Sequence, residues 1–458
     1  MTRLLRTGLV AAMAAAAFGT PSAVLAGSSH TSGSSSKSAS HSASSPSSAH
    51  ATSSSSAPAS SSLPASSGKP SVDQIVLSTL QAERDFGADP VSGGAYVNWR
   101  YGVGVNYNGR FQPQTPTTYL GHDALTDLRF LHDLWLYTST HPADHQFDAS
   151  INRYTAVVKR EFGGKADRRG WIYDELMGIG SLSHDPWYST TARGMGAAYS
   201  RWFNAKVGTI YQTSTAIPQG FYRTDEAIQQ GAVLIEAGTT FGQPAWVAEG
   251  RHVLDFVQKH AYVPAAGAYL RAMSNVVARD GSANRTETVS TTEAGGWVRL
   301  GELGSEATSL LEAAHALGND PTLMARAGAI LDDASSSRNV LHLWDSTFGG
   351  YFTGAIFPGT TNTNPGAPKV DNTAKETARQ LLMLEAYKLA DRILLGQPYK
   401  SMEAALVQAA RNAYYAPGHG FLYKMRPAYT PVHVASCNCD DTVVTSEANG
   451  IALEALQY

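Results

Sequence analysis

Residues 170–188 read GWIYDELMGIGSLSHDPWY. Two signals inside this stretch set the fold. Asp174 and Glu175 stand where a helix begins, and Gly178 and Gly180 follow within a run of small and apolar residues. Asp185-Pro186 then supplies a helix cap followed by proline at the first helical position, which starts a second helix almost at once. The spacing predicts helices over about 174–183 and 186–206.

The same unit recurs along the chain. Gly-aromatic stretches such as SGGAYVNW (92–99), GHGFLYKM (418–425) and FGGYFTGAIF (348–357) separate segments with helical apolar spacing. The first helix of each pair is predicted over 72–86, 146–162, 186–206, 243–260, 320–338 and 398–415. The second of each pair, rich in Gly and Ala, is predicted over 120–139, 174–183, 225–240, 305–317, 371–391 and 441–456. Small residues let helix backbones approach closely, as in the inner layer of a ring. Helix-pair repeats need neighbours to bury their apolar faces. Six pairs satisfy this without an open end by closing into an all-α (α/α)6 barrel with short β-hairpin loops, rather than an open solenoid.

The 458-residue chain opens with a basic n-region (Arg3, Arg6), an apolar run to Phe18 and a small-residue end at Val24-Leu25-Ala26. This is the pattern of a secretory signal over 1–26, which predicts a secreted or periplasmic protein with no membrane span. Residues 27–70 are nearly all Ser, Ala, His, Pro, Thr and Gly, a composition that reads as a disordered linker. The folded domain is expected over 71–458. All 38 acids but only 31 of the 35 basic residues lie in it. That balance gives no electrostatic footprint for nucleic acid or for an anionic membrane. Cys437 and Cys439, the two cysteines, cannot make a disulfide framework.

Polar residues gather at the predicted starts of the inner helices: His122-Asp123, Asp174-Glu175, Asp225-Glu226, Ser305-Glu306, Asp371-Asn372 and Asp440-Asp441. Any one of these is explained by helix capping and the macrodipole. In a closed ring, however, all six starts point to one mouth, which the hairpin aromatics Trp99, Trp171 and Tyr173 would also line. Acids among aromatic faces suit a sugar, since rings stack on its apolar faces and carboxylates accept its hydroxyl protons. Paired carboxyls can cleave a glycosidic bond.

The stretch YDELMGIGSLSHDPWYSTTAR resembles the second helical hairpin of the secreted alpha-1,6-mannanase family, within the six-hairpin glycosidases. KVDNTAKETARQLLMLEAYKLA (369–390) resembles a late hairpin of the same superfamily. The resemblance implies a glycoside hydrolase acting on a polysaccharide or oligosaccharide. It implies catalytic roles for Asp174 and Glu175, where that family has paired aspartates. Asp123, Asp225, Glu226, Asp371, Asn372, Asp440 and Asp441, with Trp99, Trp171 and Tyr173, would bind substrate. Asp225-Glu226 is the second choice for the catalytic pair. No cofactor or metal is implied, and a monomer is expected. The fold also carries sugar epimerases and lyases, and a non-catalytic glycan-binding protein is the reading from another class.

Overall fold

The computed structural model describes residues 69–89, 93–96, 98–100, 120–210, 221–274, 296–336, 340–358, 365–394, 396–434, 439–440 and 443–458. The signal segment, nearly all of the linker, and Cys437 and Asp441 lie outside them.

Among the described residues twelve α-helices alternate between two layers. The outer layer is α1 (Val72–Ala82), α3 (Asp148–Phe162), α5 (Pro186–Trp202), α7 (Pro244–His260), α9 (Pro321–Ser335) and α11 (Lys400–Ala409). The inner layer is α2 (Leu120–Thr140), α4 (Trp171–Ser183), α6 (Thr224–Thr240), α8 (Leu300–Ala316), α10 (Thr377–Ile393) and α12 (Ser446–Gln457). Burial separates the layers. In α6 every residue from Thr224 to Gly238 is buried, whereas in the equally long α7 only Gly250, Val253, Leu254 and Val257 are. A helix buried all round belongs inside, and one with a single apolar stripe lies outside. The Asp-Pro signals act as read: Asp185 accepts from the Trp187 amide, and Asp320 from those of Thr322 and Leu323.

The inner helices form a ring. α2 packs on α4, α6 on α8, α8 on α10, α10 on α12 and α12 back on α2. The remaining side, α4 against α6, is joined where the Gly170 amide donates to the Gln229 side chain at 3.0 Å. This is the (α/α)6 toroid. The pairing differs from the expected one throughout: each outer helix was expected to pair with the inner helix after it, whereas each inner helix but the last hairpins with the outer helix that follows it. α2 hairpins with α3, whereas α1 packs on α12, at the other end of the chain. The tight connections run from inner to outer helix, so α1 has no preceding inner helix and is covered by the last one. Asn98–Arg100 pairs antiparallel with Val443–Thr445 across this seam. Asn449 Nδ2 also donates to the buried Glu83 carboxylate at 2.6 Å, and Ser446 Oγ donates to the Tyr96 carbonyl.

Short strands run directly into four inner helices: Phe221–Arg223, Trp297–Arg299, Lys375–Glu376 and Val443–Thr445. They move three predicted helix starts. α8 begins at Leu300, ahead of Ser305-Glu306. α10 begins at Thr377 and α12 at Ser446, both after the acid pairs expected to open them. An acid near a Gly-aromatic hairpin caps turns as readily as helices, and Asp371 does so by accepting from Thr373.

Close helix approach rests on glycine at α6–α7, where a Cβ on Gly250 would sit 2.4 Å from the Gly231 carbonyl oxygen. Gly250→Ala is expected to destabilise the fold by about 1–3 kcal/mol through overpacking, although alanine favours a helix by about 1 kcal/mol. A Cβ on Gly328 in α9 meets nothing within 4 Å, so Gly328→Ala should stabilise. Urea unfolding of the two variants checks the pair, and equal effects would refute the packing account.

Candidate active site

The N-terminal ends of the inner helices surround a cleft of about 340 Å³. Leu125 and Arg129 of α2, Trp171 of α4, Asp225 and Glu226 of α6, and Glu302 of α8 contribute to it. Arg379 comes from α10, Glu447 from α12, and Arg168 and Arg169 from the turn ahead of α4. A smaller cavity of about 20 Å³ shares Arg129, Trp171, Gln229, Ser305 and Leu382 with the cleft and adds Asp174, Glu175, Glu312, Glu385 and Glu454. The two form one funnel, with the smaller space as its floor.

The wall is an alternating charge network. Arg223, the last residue before α6, holds Asp225 with both prongs, Nε to Oδ1 at 2.8 Å and Nη2 to Oδ2 at 2.6 Å. Its Nη2 also lies 3.2 Å from Glu302, whose same oxygen is 2.8 Å from Arg271 Nε. Arg168 Nε lies 3.1 Å from Glu226 Oε1, while Glu226 Oε2 is buried with no hydrogen-bond partner among the described residues. Burial, then the neighbouring Asp225 charge, raise Glu226 to about 7, and the same two causes raise Glu302 to about 7. Consecutive carboxyls in α6 are therefore set apart: Asp225 is gripped by a guanidinium fork, whereas Glu226 holds its proton near neutrality.

The floor is more enclosed. Glu175 is 1% exposed and hydrogen-bonds His132. His132, Glu175 and Glu454 each bring one ligand atom within 4.8 Å of the others, and Asp174, Glu236 and Glu312 do the same. These are the donor sets that the described residues offer a cation. Burial, then the Glu454 charge, push Asp133 well up beside them.

The structure brings together Trp171, Asp225 and Glu226 at the cleft, with Asp174 and Glu175 beneath. Other expected positions lie elsewhere. Tyr173 is buried, its hydroxyl beside Thr240 of α6, because α4 begins at Trp171 and turns Tyr173 into the helix interface. Asp371 and the exposed Asn372 sit on a surface turn before α10 and do not line the cleft. The side chains of Trp99, Asp123 and Asp440 lie outside the described residues, as does Asp441. The arginines and Glu302 were not among the expected site residues. Their signal is a repeat: Arg223 and Arg299 are both N-cap residues, each three positions ahead of a cleft glutamate, Glu226 or Glu302.

No protein-family model matches the sequence, and no curated protein matches it. Solved structures do. A D-mannose isomerase superposes with a TM-score of 0.58 at 12% identity, over 86% of this chain and 98% of that one. An unsaturated glucuronyl hydrolase specific for heparin gives 0.57 at 16%, over 84% and 96%. The chain has the six-hairpin glycosidase fold. An alpha-1,6-mannanase of Salegentibacter sp. HEL1_6 gives 0.57 at 9%, over 84% of this chain and 98% of that one. That mannanase variant, with two consecutive aspartates replaced, is inactive and holds alpha-1,6-mannotriose. The structures that share this fold thus include both hydrolases and an isomerase. No described helix is long and apolar enough to cross a membrane.

Proposed function

We propose that this chain is an exported glycoside hydrolase that cleaves a poly- or oligosaccharide in the cleft at the inner-helix mouth. The observation that carries the reading is Glu226, whose burial beside Asp225 keeps its proton near neutrality while Arg223 grips Asp225 with both prongs, both acids on the wall of an open cleft. A carboxyl that keeps its proton near neutrality is the general acid that cleavage of a glycosidic bond requires. Glu226 donates the proton to the leaving oxygen. Asp174 on the floor, half-buried and beside Glu236 and Glu312, is the carboxylate that serves the anomeric carbon or its water. Glu175, locked to His132, holds the floor rather than reacting. This moves the proton donor from the Asp174-Glu175 pair to Glu226 and keeps Asp174. Export rests on the N-terminal segment, and hydrolase chemistry agrees with the glycosidases among the structural relatives.

The test is release of reducing ends by the purified chain across neutral and acidic polysaccharides, with a pH profile. Release is expected, and its rate should fall as pH rises through about 7, because Glu226 works protonated. Interconversion of a free sugar without reducing-end release would favour an isomerase. An unsaturated product would mark a lyase. Glycan binding with no turnover would leave a binding protein.

A further inference from the structure

The chain is acidic overall, yet five arginines line this one cleft: Arg129, Arg168, Arg169, Arg223 and Arg379. Four acids face them, Asp225, Glu226, Glu302 and Glu447, and two of those hold protons near neutrality. The cleft wall thus carries more guanidiniums than carboxyls within an acidic chain, and the acids of the floor lie beneath it.

The arginines divide by occupation. Arg223 is engaged by Asp225 and Glu302, and Arg379 Nε by Glu376. Arg168 spends Nε on Glu226, and its Nη1 is buried without a partner among the described residues. Among the described residues the Arg169 guanidinium has a 3.9 Å approach from Asp167 and lies near enough to Glu226 to act on its charge. Arg129 stacks on the Trp171 ring at 4.2 Å, and its Nη1 is likewise buried without a described partner. The three under-used guanidiniums all line the cleft: Arg129 stacks on Trp171, and Arg168 and Arg169 stand three and two positions ahead of that tryptophan in the chain.

We propose that the substrate is an anionic saccharide, its ring carried by Trp171 and its carboxylate or sulfate taken by Arg129, Arg168 and Arg169. This rests on reading the cleft as a saccharide site. Guanidinium forks match planar oxyanions in geometry as well as charge. A neutral sugar offers these guanidiniums hydroxyl acceptors but neither the opposing charge nor the planar oxyanion, so its hydrogen bonds are weaker.

Calorimetric titration of the full chain with trigalacturonate, a sulfated galactotriose and neutral galactotriose tests this. At least one charged ligand should bind about tenfold or more tighter than the neutral one at low salt. That advantage should shrink as sodium chloride screens it. Whichever charged arm wins identifies carboxylate or sulfate. Arg129→Gln and Arg169→Gln should each remove most of the advantage, and Arg129→Lys should restore part, because it keeps the charge and loses the fork. Arg326→Gln, on outer helix α9 and paired with Asp255, is the control and should not change it. Equal or tighter binding of the neutral ligand overturns the proposal. So does an advantage that survives both glutamine variants with their melting temperatures intact. Tight charged binding without cleavage of any acidic polymer would overturn the hydrolase reading and leave the charge preference standing. Cleavage confined to neutral polymers would do the reverse.

Discussion

Glu226→Gln is expected to lower turnover about 10²–10⁴-fold, the usual worth of a positioned proton donor. The substitution keeps shape and the contact with Arg168 Nε at 3.1 Å, so what it removes is the transferable proton. The pH profile gives a second readout. In the parent the alkaline limb should fall through about 7, and in the variant the residual rate should lose that limb. Glu302 is the competitor, since it too is raised to about 7. It is braced by Arg223 and Arg271 and serves to hold the fork that grips Asp225. If Glu302→Gln erased the limb while Glu226→Gln kept it, the assignment would be wrong. Stability must be followed at each pH. A carboxyl raised above its unfolded value of 4.5 favours folding fully below that pH, and the contribution is lost as pH rises through about 7. Melting curves separate that drift from the kinetic limb.

Lys375→Met should cost about 3–5 kcal/mol of stability, because it strands a buried charge. Lys375 is fully buried at the strand leading into α10. Its Nζ lies 2.9 Å from Asp345, donates to the Pro427 and Gly349 carbonyls, and sits 4.3 Å over the Tyr429 ring. Two loop segments, 345–349 and 427–429, converge on this one ammonium. Burial lowers its pKa, and Asp345 opposes that shift. In Lys375→Met, Asp345 keeps its bonds to the Thr347 and Phe348 amides but loses its cation. Adding Asp345→Asn should recover a large part of the loss. Denaturant unfolding of the two single variants and the double reads the coupling directly, and additive losses would show that the pair is not a unit.

The helices were legible because their signals are local. Apolar period, small residues and the Asp-Pro caps at Asp185 and Asp320 all act within a few positions of where they stand. The barrel itself was legible by repetition. The site was legible in part, and the reason is distance along the chain. Asp225-Glu226 could be found as an acid pair at a helix start. That Glu226 would be buried beside a gripped Asp225, while Glu175 would be locked to His132 from α2, depends on which helices become neighbours. The arginines were not among the expected site residues, because they are spread along the chain. Arg129 and Arg379 are 250 residues apart, and only ring closure puts them in one cleft. Tyr173 failed for a smaller reason. Starting α4 at Trp171 rather than Asp174 rotates the tyrosine from the mouth into the interface with α6.

The seam carries a consequence for how the molecule is made. Asn449 and Glu83, whose hydrogen bond joins the two ends of the ring, are 366 positions apart, and Ser446 and Tyr96 are 350 apart. Helix hairpins such as α4–α5 form from neighbours and can assemble early, but loop closure over such a span is slow. Glu447 and Ile451 on the last helix are part of the cleft wall. Until α12 docks, α1 lacks its cover and the cleft lacks a side. Catalytic competence should therefore arrive late and all at once in refolding, after most of the helical signal has already returned.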